Sequence, residues 1–146
     1  MTPLTHPLNA IPSGNGIAAL ALIRLGHLLG ETRYLECATR ALTALGGAMR
    51  GNPAACPSLL CALQEWLQPP TVVILRGSNP EMSRWQRAIG QRFRPECLLL
   101  AIPDHVHTGV DTLDRPLQSG VNAWICRGVE CLPVISRLED LVAELE

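Results

Sequence analysis

The first half of the chain has the apolar pattern of three helices. Apolar residues are nearly continuous over 17–29, and residues 13–15 supply the small polar side chains typical of a helix N-terminus. Gly30 suits the left-handed residue that ends a helix, and Thr32 can cap the next one. In the second helix, apolar residues recur at helical spacing, and the third helix carries a further set of apolar residues. These positions are Leu35, Ala38, Leu42, Leu45 and Met49, then Leu59, Leu60, Leu63 and Trp66; Arg33, Glu36 and Arg40 occupy the solvated face of the second helix.

After Pro69 and Pro70 the pattern changes to short apolar runs. The β-branched run 72–75 lies between Pro and Gly, which predicts a buried strand. Ser78 then stands three residues before Glu81, the spacing of a capping box that opens a helix. The apolar face of this helix comprises Met82, Trp85, Ile89 and Phe93, and the run Cys97 to Ile102 follows as a second strand. Strand, helix and strand together predict a βαβ unit.

The last third of the chain reads as a loop, a strand and a helix. Residues 103–120 lack a period and contain only scattered apolar residues, whereas residues 121–126 predict a third strand. Ser136 and Glu139 form a second capping box before a terminal helix. The predicted fold is therefore α+β, or α/β in its second half. Antiparallel helical hairpins over residues 1–68 precede a small three-stranded βαβ unit with a C-terminal helix over residues 69–146.

Composition narrows the classes of partner. Twelve arginines against thirteen acidic residues give a net charge of −1, without a basic run that could follow a phosphate backbone, so nucleic acid is not expected. The chain has neither a secretory signal nor an apolar stretch long enough to cross a bilayer, so we expect a cytoplasmic protein that does not bind membranes. In that compartment the six cysteines are expected to be mostly reduced, without a disulfide framework.

Four segments carry a resemblance to a known family. In chain order they are IPSGNGIAALALIRLG at 11–26, GETRYLE at 30–36, PPTVVIL at 69–75 and AWICRGVECLPV at 123–134. Together they resemble the C-terminal part of the thioredoxin-domain-containing proteins of the YyaL and spermatogenesis-associated type. The resemblance implies that the helices are the last hairpins of an (α/α)₆ toroid, similar to sugar epimerases and six-hairpin glycosidases. The βαβ unit would then be a C-terminal appendage.

The chain lacks the thioredoxin domain of that family and most of the toroid, so no redox chemistry is carried over from it. We expect a non-catalytic structural or interaction module without a cofactor. Its partner would be a second copy, forming a homo-oligomer, or the missing thioredoxin and toroid domains, because apolar helix faces meant for neighbouring hairpins would be exposed in this chain.

One candidate ligand site lies at the start of the first helix. Ser13 and Asn15 accompany free backbone N–H groups there, which could bind an anion or a sugar hydroxyl or could simply cap the helix. The resemblance implies that this end faces the mouth of the toroid. The alternative function is therefore a carbohydrate- or anion-binding unit, completed by oligomerisation, in which Ser13, Asn15, Arg24 and His27 line a shared pocket.

A second candidate site involves paired cysteines. Cys126 and Cys131 enclose Arg-Gly-Val-Glu, a turn that could bring two thiols together. His105 and His107 could complete a Cys₂His₂ zinc site, although the spacing does not require one. A reversible disulfide and two packed thiols are the other interpretations.

Two further patterns suggest chemistry less specifically. Residues 76–79 follow a strand and open a helix, where doubly wound folds hold phosphate, but simple turn and cap chemistry explains them equally. Cys97 with Asp104 and His105 is the nearest approach to a nucleophilic constellation, yet Cys97 begins an apolar run and is expected to be inert. We therefore predict no catalytic residue.

Overall fold

The computed structural model describes residues 13–128 and 130–146. They form two compact units. The helical unit comprises residues 13–26 and 32–68, and the sheet unit comprises His27–Glu31 and Pro69–Glu146. The predicted combination of helices and sheet is confirmed. The segment His27–Glu31, which the sequence pattern places with the helices, groups with the sheet unit instead.

The helical unit is built from α1 (Gly14–Leu29) up to Gly26, α2 (Thr32–Gly51), a short 3₁₀ helix (Pro53–Ala55) and α3 (Pro57–Leu67). Gly30 has a φ of 69°, the left-handed conformation predicted for the end of α1. The core consists mainly of small and medium-sized side chains from all three helices, with Ala19, Ile23, Ala38, Leu42, Met49, Leu59 and Ala62 buried. Arg33, Glu36 and Arg40 are exposed, as predicted.

The sheet unit contains β1 (Thr71–Gly77), α4 (Asn79–Ile89), β2 (Cys97–Pro103), β3 (Asn122–Arg127), β4 (Glu130–Cys131) and α5 (Leu138–Glu144). The strand order is β2-β1-β3-β4. Strand β2 runs parallel to β1, whereas β3 is antiparallel to β1 and β4 to β3. The three predicted strands are confirmed, and the two-residue β4 is an addition that the apolar pattern did not indicate.

Both faces of the sheet are covered. Successive side chains of a strand point to opposite sides, so each strand contributes to the packing on both faces. On the helix-covered face, Val73, Leu75 and Ile125 pack against Met82, Trp85 and Ile89 of α4 and Leu141 of α5. On the loop-covered face, Val72, Ile74 and Ile102 pack against Leu113 of the loop 104–121 and against Leu28 and Leu29. Gly77 ends β1 where a Cβ atom would lie 2.9 Å from the carbonyl oxygen of Gly120, so the chain passes close to that loop there.

Three details of the sequence prediction are wrong. Helix α4 ends at Ile89, so Phe93 lies beyond it and is 92% exposed instead of packing on its apolar face. Ser78 occupies the N-cap position of α4, but its side chain makes no capping hydrogen bond. The cap of α5 is Arg137 instead of Ser136, because backbone hydrogen bonds between Ile135 and Ala123 keep the chain extended up to that point.

Among the described residues, no helix combines the length and the apolar character needed to cross a membrane.

Candidate functional site

At the start of α1, the geometry shows a cap that also joins two helices. The hydroxyl oxygen of Ser13 accepts a hydrogen bond from the backbone N–H of Gly16 at 3.1 Å. The backbone N–H of Ser13 donates to the hydroxyl of Ser58 at 3.1 Å, and the two hydroxyl oxygens also lie 3.1 Å apart. Asn15 is exposed in the first turn. Ser13 is therefore used for capping and for contact with the start of α3.

Arg24 is engaged in an ion pair within the helical unit. Its Nε donates to Oε2 of Glu65 at 2.9 Å and to Oε1 at 3.0 Å, and its Nη2 also pairs with Oε1. Hydrogen bonding to Glu65 raises the pKa of Arg24 despite the opposing effect of burial. Asn15 and Arg24 are about 13 Å apart along α1. The two residues are thus more than two turns apart on one helix, and His27 groups with the sheet unit.

An apolar groove lies between α2 and α3. It has a volume of about 500 Å³ and is lined mainly by Leu42 and Met49 of α2 and by Leu60, Leu63 and Trp66 of α3. We call it the α2–α3 groove. Leu60 is 38% exposed and Trp66 42% exposed. Apolar side chains accessible along a groove are the usual mark of an interaction surface.

The polar end of Trp66 is already satisfied. Its Nε1–H donates to Oγ1 of Thr39 at 2.9 Å, and the Thr39 hydroxyl donates to the carbonyl of Leu35 at 2.8 Å. The exposed part of the indole is consequently hydrocarbon. A second depression of about 290 Å³ shares Leu60 and Leu63 with this groove and is also lined by Leu67, which is 64% exposed.

The carboxyl end of β1 carries a buried arginine. Arg76 is only 4% exposed; its Nη2 donates to the carbonyl oxygen of Val106 at 3.0 Å and its Nη1 to Oδ1 of Asp114 at 3.4 Å. Residues 76–79 stand where a phosphate could bind, but the Arg76 guanidinium holds the loop against the sheet. Two buried atoms at this edge, Nε of Arg76 and Oδ1 of its cross-strand neighbour Asn122, have no hydrogen-bond partner among the described residues.

Asp114 organises the loop around that arginine. Its carboxylate accepts hydrogen bonds from the backbone N–H groups of Thr108 and Gly109, each at 2.8 Å, and from the Thr108 hydroxyl at 2.9 Å. Nδ1 of His107 lies 2.8 Å from Oδ2. Burial would raise the pKa of Asp114, but the hydrogen bonds from Thr108 and Gly109 and the nearby His107 outweigh it and lower the pKa to about 2. The carboxylate is therefore ionised at neutral pH and serves as a fixed loop anchor.

The zinc alternative is not supported by the structure. Cys126 and Cys131 are joined in a disulfide, so their sulfurs are not thiolate ligands. His105 lies beside Asp104 and His107 beside Asp114. Across the part of the chain that the structure describes, no group of three or more His, Cys, Asp or Glu residues could hold a metal ion.

Cys97 has the surroundings of a packed thiol. Four cysteines are free, namely Cys37, Cys56, Cys61 and Cys97. Burial, together with Glu96 and against the opposing effect of Arg94, raises the pKa of the Cys97 thiol. A higher pKa reduces the thiolate fraction that a nucleophile requires, which agrees with the expectation that Cys97 is inert.

The disulfide lies next to an arginine that the sequence did not single out. Cys126 and Cys131 face each other across the β3–β4 hairpin. Nη2 of Arg115, from the loop before β3, lies 3.4 Å from Sγ of Cys126 and 3.6 Å from Sγ of Cys131. Because Arg115 is eleven residues before Cys126 in an irregular loop, no spacing rule connects the two. Only the folded loop brings them together.

Fold and geometry thus define an α+β chain whose two distinctive surfaces are an apolar groove on helices and a disulfide beside an arginine. Compared with protein-family models, with curated proteins and with solved structures, the chain gives no match, so its function must be inferred from its own residues.

Proposed function

We propose that this chain is a non-catalytic structural and interaction module of the cytoplasm, equivalent to the C-terminal part of a larger thioredoxin-domain-containing protein. The proposal includes the finer fold assignment, in which α1, α2 and α3 belong to the last antiparallel hairpins of an (α/α)₆ toroid. The order of the four resembling segments supports it. Ile11 and Pro12, which open the first segment, lie outside the described residues.

The α2–α3 groove is the observation that carries this proposal. Its apolar lining includes the indole of Trp66, whose N–H is already bonded to Thr39, while Thr43 and Arg50 add polar groups on the α2 side. Covering apolar surface removes it from water, at about 25 cal/mol for each Å². A groove between two helices also has the shape that accepts the ridge of a further helix.

The occupant that we propose is a helix of the same helical layer. In a longer protein it would belong to an adjacent hairpin, and for this chain alone it is a second copy. Leu60 and Leu67 protrude beside the depressions that they help to line. A surface that carries both protruding side chains and depressions can pair with a second copy of itself about a two-fold axis, as in isologous dimers.

The test is the solution mass over a range of concentrations, measured by light scattering. The wild-type protein should approach twice the 15.8 kDa mass of one chain. The double variant Leu60→Gln/Leu67→Gln should remain monomeric, because a polar amide on each protruding side chain opposes burial. Leu117→Gln is the matched control, since Leu117 is 58% exposed on the sheet unit.

Dimerisation of Leu117→Gln together with loss of the dimer in the double variant would support the proposal. A wild-type protein that stays monomeric at every concentration, or a double variant that dimerises like wild type, would refute the self-pairing groove.

A further inference from the structure

The two sulfurs of the Cys126–Cys131 disulfide have different surroundings. Cys131 is exposed, whereas Cys126 is only 8% exposed. Thiol–disulfide exchange begins when a thiolate reaches one of the two sulfurs, so access determines which sulfur is attacked. An incoming thiol therefore meets the sulfur of Cys131 first.

Arg115 places a positive charge beside both sulfurs, including the less accessible one. Its Nη2 lies 3.4 Å from Sγ of Cys126 and 3.6 Å from Sγ of Cys131. Among the described residues Arg115 forms no ion pair with a carboxylate, and its buried Nε has no hydrogen-bond partner. A neighbouring guanidinium stabilises a thiolate, and a more stable thiolate is a better leaving group.

The position of the disulfide does not suggest that its main role is to stabilise the fold. The two cysteines are five residues apart in sequence, across a hairpin that is already paired by β3 and β4. The stabilisation from a cross-link increases with the length of the loop that it closes, so this bond constrains the unfolded chain less than a long-range disulfide would. In the reducing cytoplasm proposed above, disulfides are usually transient or redox-sensing.

We propose that Cys126 and Cys131 form a thiol–disulfide exchange site for a small thiol of the glutathione type. The thiolate of the small thiol attacks Sγ of Cys131 and forms a new S–S bond with it. The Cys126–Cys131 bond breaks, and its electron pair leaves on Sγ of Cys126 as a thiolate beside Arg115. A second small thiol then attacks the small-thiol sulfur of the mixed disulfide and releases Cys131. Two small thiols are oxidised to their disulfide, and the cysteine pair is reduced by the same two electrons.

The first measurement needs no variant. The oxidised wild-type protein is incubated with millimolar glutathione, trapped with acid, digested with trypsin and mapped by mass spectrometry. Cleavage after Arg127 leaves Cys131 on a peptide with no other cysteine, separate from Cys126. The first glutathione adduct is expected on Cys131. A first adduct on Cys126, or a disulfide that glutathione leaves intact in the folded protein, would overturn the proposal.

The second measurement follows the rate of reduction by mass and thiol count on the intact protein. Arg115→Gln should slow reduction at least about threefold, because the leaving thiolate loses its neighbouring charge. Arg115→Lys should retain most of the wild-type rate. Arg127→Gln is the control, since it removes a charge from the same hairpin that is paired with Glu144. Equal rates for Arg115→Gln and Arg127→Gln would show that Arg115 does not assist exchange.

Discussion

The two units of this chain bury their apolar residues in opposite ways. In the sheet unit, large side chains such as Ile74, Leu75, Ile125 and Leu141 are at most 1% exposed, and both faces of the sheet are covered. In the helical unit, three of the seven buried core residues are alanines. Three of its larger side chains, Leu60, Trp66 and Leu67, are left partly in water, whereas the other four core residues are large and buried.

This difference indicates which unit depends on a partner. Both faces of the sheet are covered within its unit, and the exposed Phe93 and Leu117 lie outside its strands. Exposed leucine and tryptophan side chains on the helices offer apolar surface that another surface can cover. We therefore propose that assembly depends on the helical unit more than on the sheet unit.

The largest expected decrease in the free energy of unfolding comes from a substitution in the sheet core. Ile125 is 0% exposed in β3, so Ile125→Ala should lower the free energy of unfolding by about 2–5 kcal/mol through lost contacts and a residual cavity. Leu117→Ala, at a 58% exposed position, should change it by less than about 0.5 kcal/mol. Urea denaturation followed by circular dichroism measures both. Similar losses for the two variants would mean that the core is not where burial places it.

A smaller loss of stability is expected at Gly16, where α1 packs closely against the start of α3. A Cβ atom on Gly16 would lie 2.7 Å from the backbone carbonyl carbon of Ser58, so Gly16→Ala should destabilise by about 1–3 kcal/mol. At Gly14 nothing lies within 4 Å of the added Cβ, and Gly14→Ala should be neutral or stabilising by about 0.5–1 kcal/mol. Equal behaviour of the two variants in thermal unfolding would contradict close contact between α1 and α3.

A further loss of stability, centred on Asp114 and its partners, depends on pH. The pKa of Asp114 is lowered to about 2 from its ordinary 3.8, so its stabilisation is fully present above pH 4 and is lost as the pH falls to about 2. Asp114→Asn should therefore be less stable than wild type at pH 7, and this difference should shrink between pH 4 and pH 2. Unfolding curves at pH 7, 4 and 2.5 measure it. A difference that stays constant with pH would mean that the ionised carboxylate is not the stabilising form.

The elements of the fold follow from local patterns in the sequence. Helical spacing in α2, the β-branched run of β1 and the glycine at the end of α1 are each decided by near neighbours in sequence, which explains why they were predicted. Phe93 fits the period of α4, but the helix ends before it. The strand β4 is two residues long and exists because it pairs with β3, which no local pattern encodes.

The candidate sites were less predictable because they depend on register and loop conformation. The cysteine pair was visible as a spacing, but the choice between zinc, disulfide and free thiols required the β3–β4 pairing. Asp114 and Arg115 are consecutive in an irregular loop, yet Asp114 pairs with Arg76 of β1 while Arg115 lies on the cysteines. Polarity alone gave no sign of this division.

Amide hydrogen exchange at several protein concentrations tests the contrast between the units most directly. We expect protection of β1 and β3 to be high and independent of concentration, because the sheet unit covers itself. Protection of α2 and α3 should rise with concentration as the groove is filled by a second copy. Protection of α2 and α3 that is unchanged by dilution, or protection of β1 and β3 that falls with it, would contradict the assignment of assembly to the helices.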